Sequence, residues 1–161
     1  MKGRVLLPLA MLVSGATSAQ KLPAASAVRF EETDTTAVMD PINAIFAAVE
    51  KGDAATLLTY VYPDGRVTAS GTRSAGVNGI RSENWREFAK RITPAAAFEE
   101  RITDPAIEID GDVAMVWTRF MVRKAGKVNN CGFDHFDLIH ENGVWKVMNL
   151  SFSSRITDCG G

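Results

Sequence analysis

His135 and Asp137 stand two residues apart in the run Cys131 to Phe152, CGFDHFDLIHENGVWKVMNLSF. Alternate side chains of a strand share a face, with Cα atoms about 6–7 Å apart. Histidine titrates near neutrality, and a carboxyl beside it can serve as partner or as proton donor. The pair can therefore do acid–base work inside a pocket. It can equally be a structural pair, each group satisfying the other's hydrogen bonds. Burial would raise the pKa of Asp137 and let it meet a ligand as a neutral acid.

Other chemistries find less support. Cys131, His135 and His140 are close in sequence, but the two histidines differ by an odd number and point to opposite faces. Cys131 and His135 share a face about 13 Å apart. With two histidines and no Cys-x-x-Cys, no metal site is expected. Ser151 and Ser153 lie in no nucleophile elbow. The glycine-rich stretch 71–79 lacks the Lys-Ser or Lys-Thr that would make it a phosphate cradle. No cofactor is expected.

The same run shows what must hold these residues. Asn142-Gly143 between alternating apolar residues is a strong hairpin pattern, because both central turn positions need positive φ. Period-two patterning gives strands at 98–109, 112–123, 131–140 and 144–153, with Asp104-Pro105 kinking the first. Before them, Asp40 and Pro41 open a helix with Ile42, Ile45, Phe46 and Val49 on one face. Gly52 ends it, and Asp53 caps a second helix through Leu57, Leu58 and Val61. Pro63-Asp64-Gly65 turns into a short strand at 66–70. Ser82 caps a third helix carrying Trp85, Phe88, Ala89 and Ile92. Helices first and an antiparallel meander after make an α+β fold.

Residues 1–19 have a basic start, a short apolar core and small residues before Gln20, the layout of a secretory signal peptide. Residues 20–36 read as a linker or loose arm, and 37–161 as one domain. A periplasmic or secreted location follows, with no membrane span. Removing Lys2 and Arg4 from the 18 basic residues leaves 16 against 19 acidic ones, a net charge of −3. That balance gives no electrostatic footprint for nucleic acid. Cys131 and Cys159 are the only cysteines, and in an exported chain an even pair reads first as a disulfide. Counting back from the turn, Cys131 faces Ser154, and a returning tail can bring Cys159 to it.

Helix, Gly52-Asp53, a second helix ending near Tyr60 before Pro63-Asp64-Gly65, and the closing Gly143-x-Trp145-Lys146-Val147 strand together resemble the nuclear-transport-factor-like cone superfamily. The likeness covers about Val38 to Phe152. Cys131-Gly132-Phe133-Asp134-His135-Phe136 with Trp145-Lys146-Val147 and the late Cys159 is most similar to its lumazine-binding and polyketide cyclase-like branches. The resemblance implies three helices packed in the concave face of a strongly curved, mostly antiparallel sheet, with a pocket at the wide end.

It also implies a face for each residue. Asp137 would occupy the place where ketosteroid isomerases keep a buried, protonated acid. Phe133, His135, Met148, Leu150 and Phe152 would then face the pocket, with Phe120 from the neighbouring strand and Tyr60 and Trp85 as further lining. Phe136, Leu138, Trp145 and Val147 would form a convex patch suited to a homodimer. The isomerases' general base falls near Ala69 and their oxyanion tyrosine near Ile45, so their machinery is missing. The expectation is a binding domain for a small, largely apolar ligand. Two alternatives stand beside it: an isomerase, cyclase or dehydratase using His135 and Asp137, or a dimeric interaction protein whose pocket is filled.

Overall fold

The computed structural model describes residues 32–160, with side chains from Thr35 onward. The signal peptide at 1–19 and most of the arm at 20–36 lie outside the described residues. Helix α1 runs Glu32–Lys51, α2 Ala54–Thr59 and α3 Trp85–Ala89. The strands are β1 Arg66–Gly71, β2 Arg81–Asn84, β3 Glu99–Asp110, β4 Val113–Lys124, β5 Lys127–Glu141 and β6 Val144–Ser154. They form one sheet in the order β2-β1-β6-β5-β4-β3. Among the described strands only β1 and β6 pair in parallel. Among the described residues no helix is long and apolar enough to cross a membrane.

The α+β reading and the four-strand meander are correct, while two helix starts are corrected. Helix α1 begins at Glu32 rather than at an Asp40 cap, so the last residues of the arm are helical and Pro41 lies inside the helix. The missing Pro41 N–H costs a hydrogen bond. Burial of Val38 one turn ahead of Ile42 extends the apolar stripe and offsets that loss. In α3 the cap is Asn84, whose side chain accepts from the Glu87 N–H at 2.9 Å. Ser82 belongs to β2 instead, opposite Thr68, with their hydroxyls 2.9 Å apart. Strand pairing took the residue that was expected to cap. At the other end of α1, Gly52 adopts φ +72°, and a Cβ there would sit 2.2 Å from the Pro94 nitrogen. Only glycine closes that helix against the following segment.

The helices cover one face of the sheet. Val38, Ile42, Ile45, Phe46 and Val49 of α1 pack with Leu57, Trp85, Val116, Phe136, Leu138 and Val147 in one core. Phe46 meets Phe136 edge to face, centroids 6.1 Å apart. The expected face assignment of Phe136, Leu138 and Val147 is therefore reversed. Phe136, Leu138 and Val147 are fully buried under α1, not part of a convex patch. Trp145 is half-buried beside His140. Leu150 and Phe152 do point inward, as expected.

A β-bulge explains the mixture. Asp137 pairs with Asn149 but Leu138 with Val147, so Met148 is an extra residue in β6. A one-residue slip moves every subsequent side chain to the other face. Counting without the bulge tied His135 to the inward Leu150; in the structure Phe136 is opposite Leu150, and Asp134 opposite Phe152. The same slip puts Cys131 opposite Arg155 rather than Ser154. The disulfide Cys131–Cys159 forms nonetheless, with Cα atoms 5.6 Å apart. Asp104, with φ 53°, and Pro105 make the expected irregularity in β3.

Candidate functional site

Alternation in β5 turns Asp134, Phe136 and Leu138 toward the helices. Phe136 and Leu138 fill the core below α1. One step further along, beyond the end of α1's coverage, Asp134 borders a cavity of about 280 Å³. Val67, Ala69, Phe88, Phe98, Phe120, Val122, Leu150 and Phe152 supply its apolar walls. Phe120 and Phe152 stand perpendicular, centroids 5.9 Å apart. Ala69 is buried, and its methyl group is part of the wall.

Two carboxyl groups face each other in this apolar surrounding. Asp134 is 1% exposed, and Glu100 of β3 is hydrogen-bonded to it across β4. Glu100 keeps some accessible surface, but its carboxyl is enclosed by protein where it lines the cavity. Desolvation is thus the leading cause that pushes its pKa up to about 7, while the hydrogen bond with Asp134 opposes the rise. Burial raises Asp134 well above the usual carboxylate range, and the charge of Glu100 adds to the rise. Like charges this close do not both ionise readily, so near neutral pH the pair holds a proton in common. Beyond its contact with Glu100, Asp134 Oδ2 has no hydrogen-bond partner among the described residues. A buried polar oxygen without a partner costs free energy until something supplies a donor or acceptor.

The mouth is basic. Arg81 and Arg91 both pair with Glu83, the former at 3.0 Å. Arg73 donates to the Gly79 carbonyl at 2.8 Å, and Lys124 lies 5.9 Å above the Phe98 ring. None of these cations is ion-paired to Glu100 or Asp134.

Of the expected lining residues, Phe120 and Phe152 reach the cavity. Tyr60 lies at the core's edge. Trp85 is fully buried in the core, its Nε1 donating to the Met148 carbonyl at 3.0 Å, and Met148 is the bulge residue. Phe133, His135 and Asp137 are on the convex face. Phe133 stacks on Trp117 at 5.3 Å, and Arg119 lies 5.5 Å from its ring centre. His135 and Asp137 are side by side as expected, Nε2 to Oδ1 3.6 Å, with 32% and 45% of their side chains exposed. Asn149 also donates to Asp137, at 3.3 Å. The pair is real, but it faces away from the cavity.

Glu100 and Asp134 were absent from the expected site. Each had a readable cue: Asp134 shares a strand face with Phe136 and Leu138, and Glu100 shares one with Phe98 and Ile102. An acid in an apolar register has to be paired or used. Among the described residues no group of three His, Cys, Asp or Glu is arranged to hold a metal ion.

A family model described as "Putative lumazine-binding" matches residues 33–153. No curated protein matches the chain. Similar solved structures include a protein of unknown function with a cystatin-like fold from Nostoc punctiforme, 16% identical with TM-score 0.62, covering 81% of this chain and 97% of that one. A structure titled putative aromatic ring hydroxylase from Novosphingobium aromaticivorans is 20% identical with TM-score 0.61, covering 78% and 91%. A nuclear-transport-factor-2-like protein of unknown function from Methylobacillus flagellatus is 21% identical with TM-score 0.58, covering 80% and 97%. At these identities the likeness is one of fold.

Proposed function

Because the chain belongs to the family described as putative lumazine-binding, we propose that it is an exported binding protein for a small molecule, held in the cavity on the concave side of its sheet. The observation that carries this reading is the unpartnered Oδ2 of Asp134 at the edge of an aromatic-walled cavity. A site with apolar walls and a few convergent polar groups is the usual form of a ligand pocket. The volume of about 280 Å³ lies at the small end of such pockets, so the ligand is small. The disulfide fits an oxidising compartment outside the cytoplasm.

Catalysis is the second reading. A carboxyl pair that shares a proton is suited to acid–base chemistry of the isomerase, cyclase or dehydratase kind. In that reading Glu100 and Asp134 take the roles first given to His135 and Asp137. For the convex face we propose a homodimer contact around exposed Trp117 and Val113 and the stacked Phe133.

Native mass spectrometry of protein purified from its own source tests the binding reading. A small molecule retained by wild type and lost in Ala69→Leu, which fills the cavity, is the expected result. Retention unchanged in that variant would move binding elsewhere. Sedimentation of Trp117→Glu tests the dimer, which should dissociate; an unchanged sedimentation coefficient would remove it.

A further inference from the structure

The acid pair and its surroundings say which kind of small molecule fits, given that the cavity is a binding site at all. Glu100 and Asp134 line the cavity together, and among the described residues no cation pairs with either. One of their oxygens, Asp134 Oδ2, has no partner outside the pair among the described residues. Four phenylalanine rings, Phe88, Phe98, Phe120 and Phe152, line the same space. Aromatic faces and carboxylates both attract a cation, and desolvation strengthens the attraction. An orphaned oxygen selects further: it calls for an N–H donor, which a protonated amine has and a quaternary ammonium lacks.

The cationic part of the lining has the opposite preference. Arg73, Arg81, Arg91 and Lys124 line the same cavity, and Glu83 pairs with Arg81 and Arg91. A second cationic group there would be repelled, whereas a carboxylate or other acceptor would be welcomed. We propose that the cavity takes a small amine, its N–H groups on Glu100 and Asp134, its apolar body among the phenylalanines and an acceptor or anionic end toward the arginines. Binding would displace the proton that the acid pair holds in common, because the ammonium replaces it as the compensating charge.

Calorimetry with a matched series tests this: phenethylamine, 2-phenylethanol, phenyltrimethylammonium, 3-phenylpropionate and phenylalanine. Phenethylamine should bind at least about tenfold tighter than 2-phenylethanol and phenyltrimethylammonium, the size of a charge-assisted hydrogen bond. Phenylalanine should bind tighter than phenethylamine. Titrations in buffers of different ionisation enthalpy should show a proton released on amine binding. Asp134→Asn should remove the preference for the amine over 2-phenylethanol, with circular dichroism checking that the variant folds; Glu100→Gln serves as the second variant. If 3-phenylpropionate or 2-phenylethanol binds tighter than phenethylamine, the amine proposal falls and the binding reading stands. If no member binds and Ala69→Leu still retains the natural molecule, both fall.

Discussion

Strand β5 carries an acid on each face, Asp134 and Asp137, three residues apart. Asp137 has a histidine and an asparagine beside it, and 45% of its side chain is exposed. Asp134 has a second acid, aromatic rings and an oxygen without a partner. The more suggestive local pattern, His-x-Asp, belongs to the exposed face. Chemistry of this kind is made by desolvation and by neighbours from other strands more than by residue type. The concave face is where such surroundings arise, because α3 and the neighbouring strands enclose that end of it.

This contrast can be broken at several points. The largest effect should come from Phe136→Ala, which leaves a hole between the sheet and α1. A loss of about 3–5 kcal/mol in urea unfolding is expected. A loss below about 1 kcal/mol would mean that the helices do not pack on this face. Next, Cys159→Ser opens a loop spanning 28 residues that ties the tail to β5, and should cost about 3–4 kcal/mol. Its ligand binding should be unchanged, which a calorimetric titration checks.

The acid pair gives a pH signature of intermediate size. A carboxyl whose folded pKa is raised stabilises the fold fully below its unfolded value. That contribution fades as pH rises through the folded value. For Glu100 the window runs from the ordinary 4.5 up to about 7. Wild type should therefore lose on the order of 2 kcal/mol relative to Glu100→Gln between pH 5 and about 8. Melting temperatures across that range that run parallel for the two proteins would show that the pair is not desolvated. The smallest effect should be that of His135→Ala, within about 1 kcal/mol and without change in ligand affinity. A lost ligand in that variant would return the site to the convex face.

Much of the architecture was legible beforehand because local rules decide it. Asn142-Gly143 takes positive φ as its hairpin requires, Asp53 caps α2, and Cys131 bonds to Cys159. The binding pocket was placed on the concave side, yet six of its eight expected residues lie elsewhere. The misplaced β5 residues trace to the resemblance, which set Asp137 inward and Phe133 and His135 with it. With β6 taken as regular, that choice agreed with an inward Leu150 and Phe152; the extra Met148 breaks the link. The bulge itself answers to long-range demands: the Met148 carbonyl receives the buried Trp85 Nε1, and Gly65 packs against the same carbonyl. No pattern within β6 announces it.

The order and type of the elements, the hairpin turns and the cysteine bridge follow from residues close in sequence, through φ preferences, capping and the period of apolar side chains. Which face of β5 is inside, and hence which acids are desolvated, depends on Trp85 meeting Met148, on α1 covering Phe136, and on Glu100 reaching Asp134 from two strands away. Those are contacts between distant segments, and only the folded chain brings them together.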